Sequence, residues 1–406
     1  MSFQQGLSGL NVAAKSLDAI GNNIANASTV GFKAARAEFA DVYAKSLAGG
    51  GGVQVGIGAK VAAVRQQFTQ GNIATTSNPL DVAINGNGFF RLSTNGTISY
   101  TRNGQFSLDR DGYLVTADGA RLTGYPADAS GQIVASTPID LQLSLANIAP
   151  RATSEAWMSL NLDSRDAPPT SAFSLSNPAS YNSSTAMTVY DSQGNSHTLT
   201  TYFRKTAANT WDVYAAADGA LINGGSPIGT LSFNASGTLA ADVTMNVSIP
   251  LTNGAATPLA FPLTFPMSDM TQFGVNFAVS ELRQDGFTTG RLAGFAIGAD
   301  GVILGRYTNG QSRAQGQIVL ANFINAQGLV SLGNNQWAES SDSGQPLVAS
   351  PGSGTLGVLQ SGALEEANVD LTEELVKMIT AQRVYQANAQ TIRTQDQIQQ
   401  TLVNLR

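Results

Sequence analysis

Few side chains in this sequence could carry out catalysis or hold a metal ion. The 406 residues include one histidine and no cysteine, which excludes thiol nucleophiles, disulfides and cysteine-ligated metals. His197 is the one candidate base for a serine–histidine–aspartate triad, but no Gly-x-Ser-x-Gly turn accompanies it. His197 lies in an alternating segment that follows a turn, so we interpret it as an ordinary strand residue.

Three loops resemble ligand-binding loops without completing the pattern. Asp109–Gly112 resembles the start of a calcium loop, but Ala120 stands at the twelfth position, where the loop needs glutamate. Gly86–Gly88 lacks the third glycine and the helix of a dinucleotide loop. Gly49–Gly52 is not followed by the Gly-Lys-Ser/Thr of a phosphate loop. Paired carboxylates remain open from sequence alone, but we expect no enzyme activity, no metal and no cofactor.

The composition also restricts the partners. Only 12% of the residues are charged, about half the usual share, and the net charge is −6. A nucleic-acid-binding protein normally presents a basic face, so we expect no nucleic-acid partner. No run of 18 apolar residues occurs, so we expect no membrane insertion. The first residues lack a basic segment, so we expect no cleaved signal peptide.

Both ends of the sequence carry the spacing of a coiled-coil seam, which the interior lacks. The N-terminal seam falls at Phe3, Leu7, Leu10, Ala14, Leu17 and Ile24. Asp370 and Glu373 form a capping signal for a second helix of about 35 residues. Its seam falls at Leu371, Leu375, Met378, Tyr385 and Ile392, and after a slip in register at Leu402 and Leu405. A helix cannot bury such a stripe alone, so we predict that these residues drive assembly, with a closed helical hairpin as the alternative.

The interior has the pattern of short antiparallel strands. Turn-forming pairs recur between alternating segments and predict type I′ hairpin turns. They are Asn95-Gly96, Asn103-Gly104, Asp111-Gly112, Asp118-Gly119, Asp218-Gly219, Asp300-Gly301 and Asn309-Gly310. The predicted fold class is therefore mainly β with α-helical coiled-coil termini, in which a discontinuous antiparallel β domain carries an inserted second β domain.

Changes in composition suggest the boundaries of these parts. The terminal helical domain comprises 1–32 and 371–406, and 33–71 with 357–370 form a connecting segment. The discontinuous β domain comprises 72–145 and 286–356, and 146–285 form the inserted β domain. Within the connecting segment, Gly49, Gly50, Gly51 and Gly52 predict a hinge.

The motifs of the two ends resemble those of bacterial flagellar rod and hook proteins. The N-terminal signature is carried by Asn22, Asn23, Ile24, Ala25, Asn26, Thr29, Gly31, Phe32 and Lys33. Asn78–Gly86, Tyr100–Gly104 and Asp111–Val115 are similar to the family's shared β domain, and Gly362–Leu371 to its approach to the C-terminal helix. The large insertion and the segment Ser280–Leu292 resemble the hook proteins within this family rather than the shorter rod proteins.

The resemblance implies a structural subunit of the flagellar hook, a curved, flexible tube that joins the motor's rod to the filament and encloses an export channel. The terminal helices would form the inner tube, the shared β domain a middle layer and the insertion an outer layer. The implied partners are further copies of the chain, the distal rod protein, the hook cap, the hook–filament junction proteins and the flagellar type III export apparatus. The implied location is the extracellular hook and basal body.

The last helix carries a series of amide side chains where a solvated helix usually carries charges. We expect Gln382, Gln386, Gln390 and Gln397 to face the channel, since a wet, nearly neutral wall suits the passage of unfolded chains. Two alternatives remain: a distal rod protein with an unusual insertion, which would build a straight tube, and a secreted β-rich adhesin or glycan-active protein.

Overall fold

The computed structural model describes residues 2–42, 56, 58–128 and 130–404. It has a long helix at each end, α1 (Ser2–Ala25) and α2 (Leu371–Asn404). Asp370 Oδ1 accepts hydrogen bonds from the backbone N–H groups of Thr372 and Glu373 at 2.8 and 3.1 Å, which confirms the predicted start of α2. Gly49–Gly52 and Leu405 lie outside the described residues, and only the helical backbone of Leu402 is described.

Strands occupy most of the chain between the helices. The first ten are β1 (Ala35–Val42), β2 (Gly58–Gln66), β3 (Ile73–Thr75), β4 (Val82–Asn85), β5 (Phe89–Thr94), β6 (Thr97–Thr101), β7 (Ser107–Leu108), β8 (Leu114–Val115), β9 (Arg121–Pro126) and β10 (Ile139–Asp140). The next nine are β11 (Ala156–Asn161), β12 (Ser183–Tyr190), β13 (Ser196–Ala207), β14 (Thr210–Ala217), β15 (Ala220–Leu221), β16 (Gly229–Ser232), β17 (Val243–Ile249), β18 (Leu259–Phe265) and β19 (Ala278–Gln284). The last nine are β20 (Leu292–Ile297), β21 (Val302–Tyr307), β22 (Ser312–Ile318), β23 (Leu320–Asn322), β24 (Val330–Gly333), β25 (Gln336–Ala338), β26 (Leu347–Ala349), β27 (Val358–Ser361) and β28 (Ala363–Glu365).

The chain divides into two compact units. The first comprises 1–145, 294–306 and 312–406, and the second 146–293 and 307–311. The second unit therefore extends past residue 285, where the sequence pattern ends the insertion. Bridges between Arg151 and Phe287 and between Ile148 and Gly290 hold this return segment against the start of the insertion.

The first unit holds both helices and most of the strands. Its main sheet follows the order β20-β21-β22-β9-β5-β6-β25-β24, and β4 and β3 pair with β27 and β28. Its core includes the fully buried Phe90, Leu92, Leu122, Ile303 and Leu320. These residues come from both halves of the discontinuous domain, so the strands on either side of the insertion share one apolar core.

The second unit has two sheets that share one core. The sheet β17-β18-β11-β19 and the sheet built on β12-β13-β14 contribute buried side chains such as Met158, Phe203, Trp211 and Leu263. Strands β11 and β18 are parallel, with Ala156 opposite Leu263, whereas the sequence pattern predicts antiparallel neighbours only. Hairpin signals describe strands adjacent in sequence, so they carry no information on this long-range pairing.

The turn prediction holds at two of its seven pairs. Positive φ at both residues, which a type I′ turn requires, occurs at Asn95-Gly96 (52° and 86°) and Asp218-Gly219 (48° and 82°). At four other pairs only the glycine has positive φ, and Gly104 does not have it. The prediction of type I′ geometry is wrong at those five pairs, because an Asx-Gly pair also suits longer loops that need one left-handed residue.

Candidate assembly site at the chain termini

Helices α1 and α2 lie side by side and antiparallel. At one end the Asn23 Nδ2 group donates a hydrogen bond to Glu374 Oε2 at 3.2 Å. At the other end a side chain added at Gly6 would lie 2.9 Å from Ile392 Cγ1. The start of α2 therefore lies beside the end of α1, and the two ends of the chain form one helix pair.

Small residues make the closest contact between the two helices. Gly6, Ala13 and Ile20 are buried at seven-residue intervals on α1, and Ala381 is buried on α2. A Cβ atom at Gly9 would lie 2.5 Å from Asn388 Oδ1, so the backbone of α1 runs directly against that side chain. The pair is therefore held by close approach of small side chains rather than by interlocking leucines.

The predicted seam residues lie mostly beside this contact rather than in it. Phe3 and Leu7 are 46% and 48% exposed, and Leu371, Leu375 and Tyr385 are exposed as well. Leu10, Ala14, Leu17, Ile24 and Met378 are half-buried, and so is Ile392, which packs against Gly6 within the contact. The sequence pattern suggests that the seam of α1 packs on that of α2, but in the single chain both seams leave large apolar side chains in solvent.

The N-terminal signature joins α1 to the β1–β2 hairpin. Asn23, which is 2% exposed, donates from Nδ2 to Ala35 O at 2.9 Å and accepts at Oδ1 from Ala35 N–H at 2.8 Å. After α1 ends, Asn26 Nδ2 donates to Asn22 O at 2.9 Å, and the Thr29 N–H donates to the backbone carbonyl of Asn26 at 3.0 Å. Ala25 is exposed at this end. Asn23 therefore fixes where β1 starts relative to α1 and α2.

The end of the signature leads into the β strands of the first unit. Gly31 has φ of 69°, and a Cβ atom there would lie 2.6 Å from Asn103 N, so only glycine fits without strain. Phe32 is buried beside it. Lys33, also buried, donates to Glu365 Oε1 at 2.6 Å and to Thr69 O at 2.7 Å.

Lys33, Glu365 and Arg102 form a buried charge cluster. Arg102 Nη1 donates to Glu365 Oε2 at 3.2 Å, and the backbone N–H of Gly71 donates to Glu365 Oε1 at 2.9 Å. The side chains of Lys33 and Glu365 are fully buried. Burial lowers the pKa of Lys33 from its ordinary value, and the Glu365 carboxylate opposes that shift. The cluster thus links the N-terminal segment, the β strands and the approach to α2 through one carboxylate.

The predicted channel-facing glutamines point away from α1. Gln382, Gln386, Gln390 and Gln397 are all exposed. Nine residues make two and a half turns of a helix and place two side chains on opposite sides. Gln390 is nine residues from the buried Ala381, and Gln397 is nine residues from Asn388, which contacts α1. The amide face and the α1 contact therefore lie on opposite sides of α2.

His197 lies between two carboxylates and has the surroundings of a structural residue. Its Nδ1 is 2.6 Å from Asp218 Oδ2, and its Nε2 is 3.4 Å from Asp191 Oδ2. The Asp191 carboxylate also accepts a hydrogen bond from Asn253 at 2.6 Å, so its position is fixed by neighbouring loops.

Among the described residues, no group of three or more histidine, aspartate or glutamate side chains could hold a metal ion. In that same part of the chain, neither helix is suited to crossing a membrane.

We predict that His197 makes the stability of the second unit depend on pH. The hydrogen bond to Asp218 raises the pKa of His197 above 6.5, burial opposes the shift, and Asp191 adds to it. A raised folded-state pKa stabilises the fold fully below about pH 6.5, and this contribution is lost as the pH rises through the folded-state value. Because His197 is the one histidine, its NMR titration is unambiguous. Asp218→Asn should lower the midpoint; a wild-type midpoint at or below 6.5 would contradict the account.

Sequence reasoning missed the charge cluster and the contact face of the helices. Lys33 and Glu365 both belong to motifs that the sequence singles out, but they are 332 positions apart. No spacing rule connects residues at that distance. The seven-residue spacing of Gly6, Ala13 and Ile20 was a usable signal for the α1 contact, but the larger apolar residues of the predicted seam mask it.

Four sequence families match parts of this chain. They are the flagella basal body rod protein at residues 3–33, the flagellar hook protein FlgE/F/G D1 domain at 83–154, the flagellar basal body protein FlaE D2 domain at 161–287 and the flagellar basal body rod FlgEFG protein C-terminal region at 360–405. The terminal matches cover α1 from residue 3 onward and all of α2. Both helices therefore lie in segments shared with other flagellar proteins.

Whole-chain relatives agree with these matches. The flagellar hook protein FlgE of Salmonella typhimurium is 47% identical over 412 residues, which cover 100% of both chains. The Escherichia coli protein of the same name is 46% identical over 411 residues, with the same coverage, and that of Borreliella burgdorferi is 34% identical over 453 residues, covering 100% of this chain and 99% of its own. The crystal structure of Helicobacter pylori flagellar hook protein FlgE2 matches in fold with a TM-score of 0.51 at 15% identity, and covers 72% of this chain and 100% of its own.

Proposed function

The chain belongs to the flagellar hook protein family, and we propose that its terminal helix pair builds the inner wall of a hook polymer made of many copies of the chain. The observation that carries this proposal is the exposure of large apolar side chains on both helices, including Phe3, Leu7, Leu375 and Tyr385. Apolar residues clustered on the solvent side of a helix pair indicate an interface with another molecule. Further copies of the same chain are the natural occupants in a homopolymer.

The second part of the proposal concerns the channel. If the apolar side chains are covered by neighbouring copies, the part of the amide face around Gln390 and Gln397 remains for the lumen. Gln382 and Gln386 follow Leu375 by about two and three helical turns, so they lie at the border with the covered surface. The amide face is uncharged at Gln382, Gln386, Gln390 and Gln397, so an unfolded chain in transit would meet hydrogen-bonding groups without strong ionic attachment. We also propose export through the flagellar type III apparatus and contacts with the distal rod protein, the hook cap and the hook–filament junction proteins.

Assembly of the purified chain tests the proposal. Above a critical concentration, the wild-type chain should form tubes that electron microscopy resolves. A chain that stays monomeric at all accessible concentrations and with hook seeds would contradict it. The shape of the tube also separates the hook from the distal rod alternative: a hook subunit gives curved polymers, whereas a rod subunit gives straight ones.

We predict that the four glycines at 49–52 contribute to bending of the polymer. Replacing all four by alanine narrows the backbone conformations of the connecting segment, so the tube should become straighter or stiffer. Curvature in negatively stained polymers and swimming speed in motility agar measure the effect. Gly294→Ala is the matched control, since a Cβ atom there meets no other atom within 4 Å. Unaltered curvature in the four-alanine variant would count against the hinge.

A further inference from the structure

The helix pair has two unlike sides, and one of them is a groove. The groove lies between α1, α2 and β1 and has a volume of about 740 Å³. Its apolar and small lining residues include Val12, Ser16 and Ala19 of α1, Phe39 of β1, and Val376, Thr380 and Val384 of α2. Phe39 is 40% exposed, so the groove presents apolar surface to solvent.

The other side of the pair carries the predicted seams. On α1, Phe3, Leu7 and Leu10 each precede a groove residue by nine positions: Val12, Ser16 and Ala19 respectively. On α2 the same separation relates Leu371 to Thr380, Leu375 to Val384 and Tyr385 to Val376. Nine residues place side chains on opposite sides of a helix. These six seam residues, which we name the apolar flank, therefore lie on the side of the pair that faces away from the groove.

Both sides also carry charged side chains. In the groove, Lys377 pairs with Glu373 and Glu374 at 2.9 and 2.8 Å. Arg36 lines the groove, and within the described part of the chain it has no carboxylate partner; the residue opposite it on β2 is Arg65. Asp18 follows Leu7 by eleven residues, which is about three turns, so it lies on the flank. Its one ion pair is an exposed contact with Lys15 at 3.1 Å. Such a contact contributes little and leaves Asp18 available to another cation.

Arg36 and Asp18 lie at similar heights along the pair. The Asn23 amide holds Ala35 beside the end of α1, and β1 then runs back along the helix. One strand residue advances about 3.3 Å, equal to roughly two helical residues, so Arg36 lies about one turn from the level of Asp18. Two parallel copies placed side by side would bring the Asp18 of one close to the Arg36 of the other.

We propose that the apolar flank of one copy docks into the groove of the next, with Asp18 facing Arg36 across the contact. This joins two different surfaces head to tail, so it repeats around a tube without closing into a dimer. The inference rests on the proposed function and specifies its interface. The competing arrangement is a contact between the flanks of two copies. It would bury both apolar flanks in a symmetric pair.

Cysteine cross-linking tests the contact directly, because the chain has no cysteine of its own. The variant with both Phe39→Cys and Tyr385→Cys places one thiol in the groove and one on the flank, each at a side chain that is about 40% exposed in the native chain. In polymers treated with a short bis-maleimide, we expect a ladder of covalent oligomers. Each single variant should give none, and a double variant of Phe39→Cys with Gln390→Cys, which is on the amide face, is the matched control.

Two results would overturn the proposal. Covalent dimers from Tyr385→Cys alone would establish flank-to-flank contact. If the double-cysteine variant forms intact polymers in which both thiols react but no covalent oligomers appear, the apolar flank does not bind in the groove. If the wild-type chain does not polymerise at all, the proposed function fails instead, so the two failures are distinguishable.

Charge reversal gives a second test that does not depend on cysteine variants. Asp18→Arg and Arg36→Asp each place like charges across the contact, so we expect the critical concentration for assembly to rise roughly threefold to tenfold. An equal mixture of the two variants should assemble close to the wild-type concentration, because every flank then meets a groove of opposite charge. Failure of the mixture to improve on either variant alone would overturn the pairing.

Discussion

Replacing Glu365 by glutamine is expected to lower the free energy of unfolding of the first unit by about 3–5 kcal/mol. The substitution keeps the size of the side chain but leaves Lys33 and Arg102 buried with no carboxylate between them. Removing one partner of a buried ion pair costs far more than the pair itself contributes, because the remaining charge stays desolvated. Here one carboxylate pairs with two cations, so the substitution leaves both of them without an ionic partner in the cluster.

Hydrogen exchange measured by mass spectrometry can follow the first unit separately, through peptides that cover β4 and β5. Glu366→Gln is the matched control, since Glu366 is exposed and adjacent to the cluster. The loss in free energy of unfolding caused by Glu365→Gln should become smaller as the pH rises toward about 10. A lysine whose folded-state pKa is lowered binds fewer protons in the folded than in the unfolded chain, so stability rises with pH in that window. Equal exchange rates in the two variants would contradict the role of the cluster.

Deleting residues 372–406 is expected to abolish polymerisation while leaving the β strands folded. The deletion removes α2 and exposes the buried face of α1 at Gly6, Ala13 and Ile20. The cores of the two units are built from strands and do not require α2. Pelleting assays and electron microscopy should show no tubes, and far-ultraviolet circular dichroism should retain the β signal.

Two point variants test whether assembly depends on the contact between α1 and α2, without removing any part of the chain. Ala381→Glu places a carboxylate in the contact with α1, whereas Gln390→Glu places it on the opposite, exposed side of α2. A buried unpaired charge costs several kcal/mol, so we expect the critical concentration of the first variant to rise by about 100-fold or more. The second should assemble nearly as the wild type does. Tubes formed by the deletion variant, or equal behaviour of the two point variants, would be incompatible with assembly through the helix pair.

The sequence predicts what depends on local pattern. The start of α2 after Asp370 and the β interior follow from capping chemistry and periodicity, and the structure agrees with both. Heptad spacing, however, shows that a helix has an apolar stripe but does not show which surface the stripe packs against. The same spacing suits a hairpin between α1 and α2 and a contact between copies, and in the single chain it is the small residues that decide the contact.

Long-range pairing is what the sequence could not supply. The ion pair of Lys33 with Glu365 and the parallel pairing of β11 with β18 join segments separated by about a hundred residues or more. Such contacts depend on how the whole chain folds, and hairpin signals describe neighbours only. Even the local Asx-Gly signal gives type I′ geometry at only two of its seven pairs, which include Asn95 and Asp218.

A cryo-electron microscopy reconstruction of the assembled polymer at side-chain resolution would show which surfaces of the helix pair meet between copies and which line the lumen. We expect α1 and α2 to form the inner wall, Gln390 and Gln397 to face the lumen, and the apolar flank of each copy to fill the groove beside Phe39 of its neighbour. A tube whose lumen is lined by β strands, or whose helix pairs make no contact between copies, would contradict it.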